Sequence, residues 1–302
     1  MNERAALWLS AGAALFLGLL GLAVAIASGS GAILLDGAFN LCFFATALLT
    51  LRVATLVARP DDERYPFGYL FFEPLITTVK GLLILGVSAL ALFDAVVALA
   101  TGGREVHLGP AVAYAAAATV ACTLVFVALR RAAQSPLVAA DIENWTVNAI
   151  ISGGVLAGFL LAAALLRSGH AGAAAYVDPA MVALVVLVSL AVPVRMAVRG
   201  VSALLNRAPA PAVVAGMEAA VRGALNPLPI SRLWVRAIQP GRVTYCTVHV
   251  LVPPGTALAL PEADTFRGRV ISALAARHAP VVADVVFTAT EAYAAPTAGY
   301  TA

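Results

Sequence analysis

Residues 32–58 read AILLDGAFNLCFFATALLTLRVATLVA, an apolar run interrupted by one acid, Asp36, one amide, Asn40, and one base, Arg52. A helix rises about 1.5 Å per residue, so about 20 mostly apolar residues cross the hydrocarbon of a bilayer. Only a helix or a closed barrel satisfies its own backbone there. The run therefore reads as a membrane helix that carries an acid where acids are costly. Working outward, Ala6–Ser28, Phe72–Ala100, Gly109–Leu129, Asp141–Leu166 and Val177–Val198 have the same character. The first of these is too long, and too poor in a small-residue cleavage pattern followed by a soluble mature chain, to read mainly as a signal peptide, so a retained helix is expected.

Composition agrees. Of the 302 residues 62% are apolar and 12% charged, against about 25% charged in an ordinary soluble protein. The formal net charge of +3 is too small and too scattered to be a nucleic-acid footprint, so no DNA or RNA partner is expected. Cys42, Cys122 and Cys246 lie far apart without a CxxC, which implies neither a disulfide framework nor a zinc ribbon. No Gly-rich phosphate loop, GxSxG elbow or HExxH helix occurs, so the chain reads as a non-enzyme, and no cofactor is expected.

Positive charge gives the orientation. Arg4, Arg59, Arg64, Arg130, Arg131, Arg199 and Arg207 fall on the amino terminus, the second and fourth connections and the segment after the sixth helix; the opposite side has Arg104 and Arg167. The excess marks the cytoplasmic side, which places both termini there. After Arg207 the chain changes to Ala-Pro-Ala-Pro and then to soluble patterning, so the expected domains are 1–207 in the membrane and 208–302 outside it. Pro211–Leu225 and Glu262–His278 read as helices, and Arg232–Gln239, Val243–Val252 and Val281–Thr288 as strands. That α-β-β-α-β order predicts a small α+β sheet with helices on one face, a partial ferredoxin-like module.

Ionisable and amide groups at membrane depth line a pathway or bind helices together. Asp36 and Asn40 are four apart, and Asp141, Asn144 and Asn148 are three and four apart, so each set shares one helical face. Their oxygens suit a hard cation; zinc draws more on His, Cys or several carboxylates. The plainer alternative is interhelical hydrogen bonding by the three amides. Asp141 and Glu143 stand at the start of the expected fifth helix, where Glu143 reads as a dipole-complementing cap. Lys80, the one lysine of the chain, calls for a carboxylate partner, Asp36 or Asp94. Four dispersed histidines make no metal cluster by spacing.

Three motifs carry a resemblance: Leu34-Leu35-Asp36-Gly37-Ala38-Phe39-Asn40; Pro60-Asp61-Asp62-Glu63-Arg64-Tyr65-Pro66-Phe67-Gly68 followed by Glu73; and Ala140-Asp141 leading into Asn144 and Asn148. In these the chain resembles the cation diffusion facilitator family, whose members have six membrane helices followed by a cytoplasmic ferredoxin-like domain. The resemblance implies a four-ligand metal site from two (Asp or His)-x3-Asp pairs. By position those pairs fall on Asn40 and Phe44 and on Asn144 and Asn148, with Asp36 and Asp141 about a turn earlier. Tyr65 and Tyr69 stand where the family often has histidines. Thr288 and Thr290 replace a His-x-Asp pair on the last strand, leaving His249 on the strand before.

The resemblance implies a homodimer in the inner or plasma membrane, in contact with lipid, acting as a secondary cation transporter by alternating access with protons as coupling ion. Asp36 is then the charged element, Asn40, Asn144 and Asn148 the neutral oxygen donors, and Asp141 an entry ligand. The family implies a divalent metal; these ligands suit a harder or monovalent cation. The competing expectation is a transport-incompetent homologue kept as a membrane-bound regulatory or interaction dimer.

Overall fold

The computed structural model describes residues 3–57, 59–66, 68–131, 136–241, 243–278 and 280–294. Among them, six helical stretches are long and apolar enough to cross a membrane: Ala5–Ser28, Gly31–Val57, Phe72–Ala100, Leu108–Arg130, Asp141–Arg167 and Ala171–Leu204. The chain is an integral membrane protein. Large apolar side chains point outward along the spans, including Trp8, Phe16, Ile26, Leu90 and Phe93, a surface that suits hydrocarbon and not water.

The first four spans are the helices α1 (Glu3–Ser28), α2 (Gly31–Val57), α3 (Phe72–Ala100) and α4 (Leu108–Arg130). Helix α5 runs Pro136–Arg167, headed by a proline whose missing N–H is no loss in a first turn. Asp141 and Glu143 therefore lie beyond that first turn, where the helix dipole has faded, and the expected capping role of Glu143 is overturned. The sixth span is longer than expected and interrupted: α6 (Ala171–Ala175), α7 (Val177–Ser189) and α8 (Ala191–Leu204). Pro179 and Pro193 explain the interruptions, because neither can donate to the carbonyl four residues back. The carbonyl that Pro179 leaves free, on Ala175, accepts instead from the Arg104 amide at 2.8 Å.

Small residues let the first two spans touch. A Cβ on Gly37 of α2 would lie 3.1 Å from the Gly18 carbonyl oxygen of α1, so the two backbones pass in contact.

The chain divides into two compact units. One is built on the helices up to Arg52 and from Ile76 to Val198, the other on Val53–Leu75 and the chain from Arg199 onward. In the second unit, α9 (Pro211–Leu225) precedes β1 (Arg232–Ile238), β2 (Thr244–Leu251), α10 (Leu260–His278) and β3 (Val281–Thr288). The sheet order is β1-β2-β3. Strand β1 is antiparallel to β2, with Trp234 opposite His249, and β3 returns through α10 to lie parallel to β2. Alternation sends Leu233, Val235, Cys246, Val248 and Val250 into one core with Met217 and Val221 of α9 and Phe266, Val270 and Leu274 of α10. At the β1–β2 turn Gly241 has φ +70°, and a Cβ there would lie 2.2 Å from Glu73 Oε2, so both conformation and space require glycine.

Candidate cation site

The contact of α1 with α2 brings Asp36, the residue before Gly37, close to α1. Tyr114 of α4 reaches into the same place: its hydroxyl lies 2.6 Å from Asp36 Oδ2 and 3.3 Å from the Leu17 carbonyl oxygen. Gly21 makes room, since a Cβ there would fall 2.7 Å from that hydroxyl. Tyr114 is 4% exposed, so the phenol is held by packing and donates to the carboxylate. No other described residue engages the carboxylate, which leaves Asp36 Oδ1 as an acceptor for a ligand.

Asn40, 1% exposed, is committed at both ends of its amide. Its Nδ2 donates to the Asp36 carbonyl oxygen at 2.9 Å, and its Oδ1 accepts from Asn148 Nδ2 at 3.2 Å. The polar faces of α2 and α5 thus meet at Asn40 and Asn148. Asp36 and Asn148 line a cavity of about 10 Å³, otherwise walled by apolar groups including Leu35, Phe39 and Met181. That is about the space for one water or a bare ion. The oxygens that remain for a cation, Asp36 Oδ1 and Asn148 Oδ1, are hard donors.

The other expected residues lie apart from the cavity. Asn144 is exposed, Asp141 is half-buried, and neither lines it. Phe44 packs against the apolar core of the bundle. Lys80 does not pair with Asp36 or Asp94: its Nζ sits 5.5 Å over the Phe43 ring, and the acid whose charge acts on it is Asp141. Each expected partner is taken elsewhere, Asp36 by Tyr114 and Asp94 by Arg104. Among the described residues, no group of three or more His, Cys, Asp or Glu side chains is arranged to hold a metal ion.

The sequence carries no signal for Tyr114, which has no polar neighbour at helical spacing. Asp178 does carry a sequence signal, that of an acid inside an apolar run. It is 2% exposed at the start of α7 and accepts from Ser30 Oγ at 2.5 Å, the Gly31 amide at 3.0 Å and the Ala32 amide at 3.2 Å. Arg104, one of the two arginines on the side poorer in positive charge, also donates to it, at 3.2 Å.

In the second unit, Tyr65 and Tyr69 form an aromatic cluster. Tyr65 and Tyr69 ring centroids are 4.6 Å apart and Phe72 joins both. The Tyr69 hydroxyl, then the Tyr65 amide, hold Asp62 below the usual carboxylate range. On β2, His249 faces an open cleft with Thr247, Asp284 and Arg267. Burial, then the charge of Arg236, pushes its imidazole below the usual histidine range.

A family model describing the cation efflux transmembrane domain matches residues 7–205. A search of curated proteins returned no match to the chain.

Proposed function

The chain belongs to the cation efflux family, whose members are transporters and not enzymes, and from that premise we propose that it is a secondary transporter exchanging a cation for protons by alternating access. The single observation that carries the reading is the Asp36 carboxylate, held by Tyr114 on the edge of a water-sized cavity with Asn148 opposite. A carboxylate takes either a proton or a cation, so one group couples the two fluxes: protonation discharges the cation, and the emptied, neutral site favours the return state. Asn148 supplies a neutral oxygen, Asn40 holds Asn148 in place through its own amide, and Asp141 stands as an entry ligand with Asn144 exposed beside it. One carboxylate with amides offsets the dehydration of a monovalent or hard divalent ion better than that of zinc.

The excess of arginine at one end of the bundle supports cytoplasmic termini in an inner or plasma membrane. The β1–β2 hairpin with the parallel return through α10 supports a ferredoxin-like module over 208–302 after a membrane domain over 1–207. A homodimer through that module is part of the same proposal.

One observation favours a second reading, a transport-incompetent regulatory dimer: Asn40 is satisfied by protein at both ends of its amide. Proteoliposome flux separates the two. Purified protein with a pH-sensitive dye inside the vesicles is challenged with Na⁺, Mg²⁺, Mn²⁺ and Zn²⁺ in turn, beside Asp36→Asn. Proton flux with at least one cation, lost in Asp36→Asn, supports the transporter; silence with every cation supports the regulatory dimer.

A further inference from the structure

We propose that Asp178, Arg104 and Asp94 form a latch that closes the bundle at the end where α2 begins, and that the latch must open for the Asp36 cavity to exchange with that side. The closure rests on its own geometry; only the need to open it rests on the transport reading above.

Asp178 lies at the start of the sixth span, yet its carboxylate occupies the N-terminus of α2. One oxygen takes the Ser30 hydroxyl and the Ala32 amide, the other the Gly31 amide and an Arg104 nitrogen. First-turn amides have no partner within their own helix, so an anion there ties one helix end to another element. Ser30 completes the tie, accepting from the Ile33 amide at 3.2 Å while it donates to Asp178. Arg104 bridges outward: its second guanidinium nitrogen meets Asp94 near the end of α3. The planar fork of arginine spans two acids in a way that a lysine ammonium does not.

The latch is the roof of the cavity. Ala32, held through its amide, and Val182, four residues after Asp178 on the same face of α7, both line the space beside Asp36. Ser30 to Asp36 is six residues, or about 9 Å along the helix. Backbone bonds from Arg104 to Ala175 and from His107 to Ser28, 2.8 and 2.9 Å, seal the same end. The bridge reaches the surface of the bundle. The Asp94 side chain is 57% exposed and that of Arg104 18%, whereas that of Asp178 is 3% exposed. Loss of Arg104 from the pair leaves Asp178 a buried anion without a countercharge, held by the first turn of α2 alone, which weakens the hold of α7 on α2.

The test reads access to the roof. In the full chain with Cys42, Cys122 and Cys246 replaced by serine, Val182→Cys is labelled by a charged, membrane-impermeant maleimide applied to vesicles of each orientation. The expected result is slow labelling with the latch intact, faster by about tenfold or more in Arg104→Gln and Asp94→Asn, and intermediate in Arg104→Lys. Asp178→Asn is a further arm if it elutes as folded protein; the two more accessible sites decide the matter without it. Equal rates in Arg104→Gln, Asp94→Asn and the parent overturn the latch. Labelling needs no transport: faster labelling with no cation flux sinks the transport reading and leaves the latch, while unchanged labelling with normal flux does the reverse.

Discussion

The Tyr114 hydroxyl on α4 donates to Asp36 on α2 across 2.6 Å, so the one acid on the cavity is oriented by a neutral phenol and not by a cation. A hydrogen bond to a charged group contributes about 1.5–3 kcal/mol, which is roughly tenfold or more in affinity. Tyr114→Phe is therefore expected to raise the KM for the transported cation about tenfold with a smaller change in maximal rate. The concentration dependence of cation-driven proton flux measures this, and an unchanged KM removes Tyr114 from the site.

Asn40 and Asn144 were equivalent in the sequence, each an amide on a polar face, yet one is enclosed and the other exposed. Asn40→Ala strands the Asn148 amide, while the Asp36 carbonyl keeps its bond within the helix, at a cost of about 1–3 kcal/mol for a buried polar group left unmade. Asn144→Ala stays within about 0.5 kcal/mol. Thermal unfolding in detergent should show a clear drop in Tm for the first substitution and none for the second. A common shift would mean that Asn40 does not hold α2 to α5.

The glycines make an independent test of the α1–α2 contact. A Cβ at Gly37 meets the Leu22 amide nitrogen at 3.0 Å and the Gly18 carbonyl at 3.1 Å, backbone atoms that cannot rotate away, whereas a Cβ at Gly12 meets nothing within 4 Å. Gly37→Ala is expected to cost about 1–3 kcal/mol by overpacking, and Gly12→Ala to be neutral or slightly stabilising through helix propensity. The same Tm measurement decides, and a destabilised Gly12→Ala would show that the contact is placed wrongly on α1.

The spans were legible because membrane helices announce themselves by length and apolarity, and the hairpin and crossover of the second unit because strand alternation and Pro240-Gly241 punctuate it. Partnership was not legible. Asp36 and Asn40 could be put on one face by counting fours, but no count shows that Tyr114 arrives from α4 or that Arg104 takes Asp94 away from Lys80. Those depend on how closely backbones pass, which Gly21 and Gly37 set and composition does not. Helix ends failed for a local reason: Pro136 starts α5 before Asp141, so the charge pattern at Glu143 marked a turn already inside the helix. Asp178 was hidden by its success, since an acid fully satisfied by another helix's first turn leaves no polar companion in its own sequence.

In the second unit His249 carries the expected acid sensitivity. Its Nδ1 is enclosed and has no hydrogen-bond partner among the described residues, and Arg236 adds positive charge nearby. Both effects favour the neutral ring, so the folded unit holds fewer protons than the unfolded chain, whose histidine titrates near 6.5. A depressed folded value gives stability that is complete above that pH and declines as pH falls through it toward the folded value. Urea unfolding of the full chain, followed by the fluorescence of Trp234 opposite His249, should show a midpoint that drops between about pH 7 and about pH 5. His249→Gln should flatten that drop, and an identical pH profile in the variant would show that the ring is as readily protonated in the folded protein as in the unfolded chain.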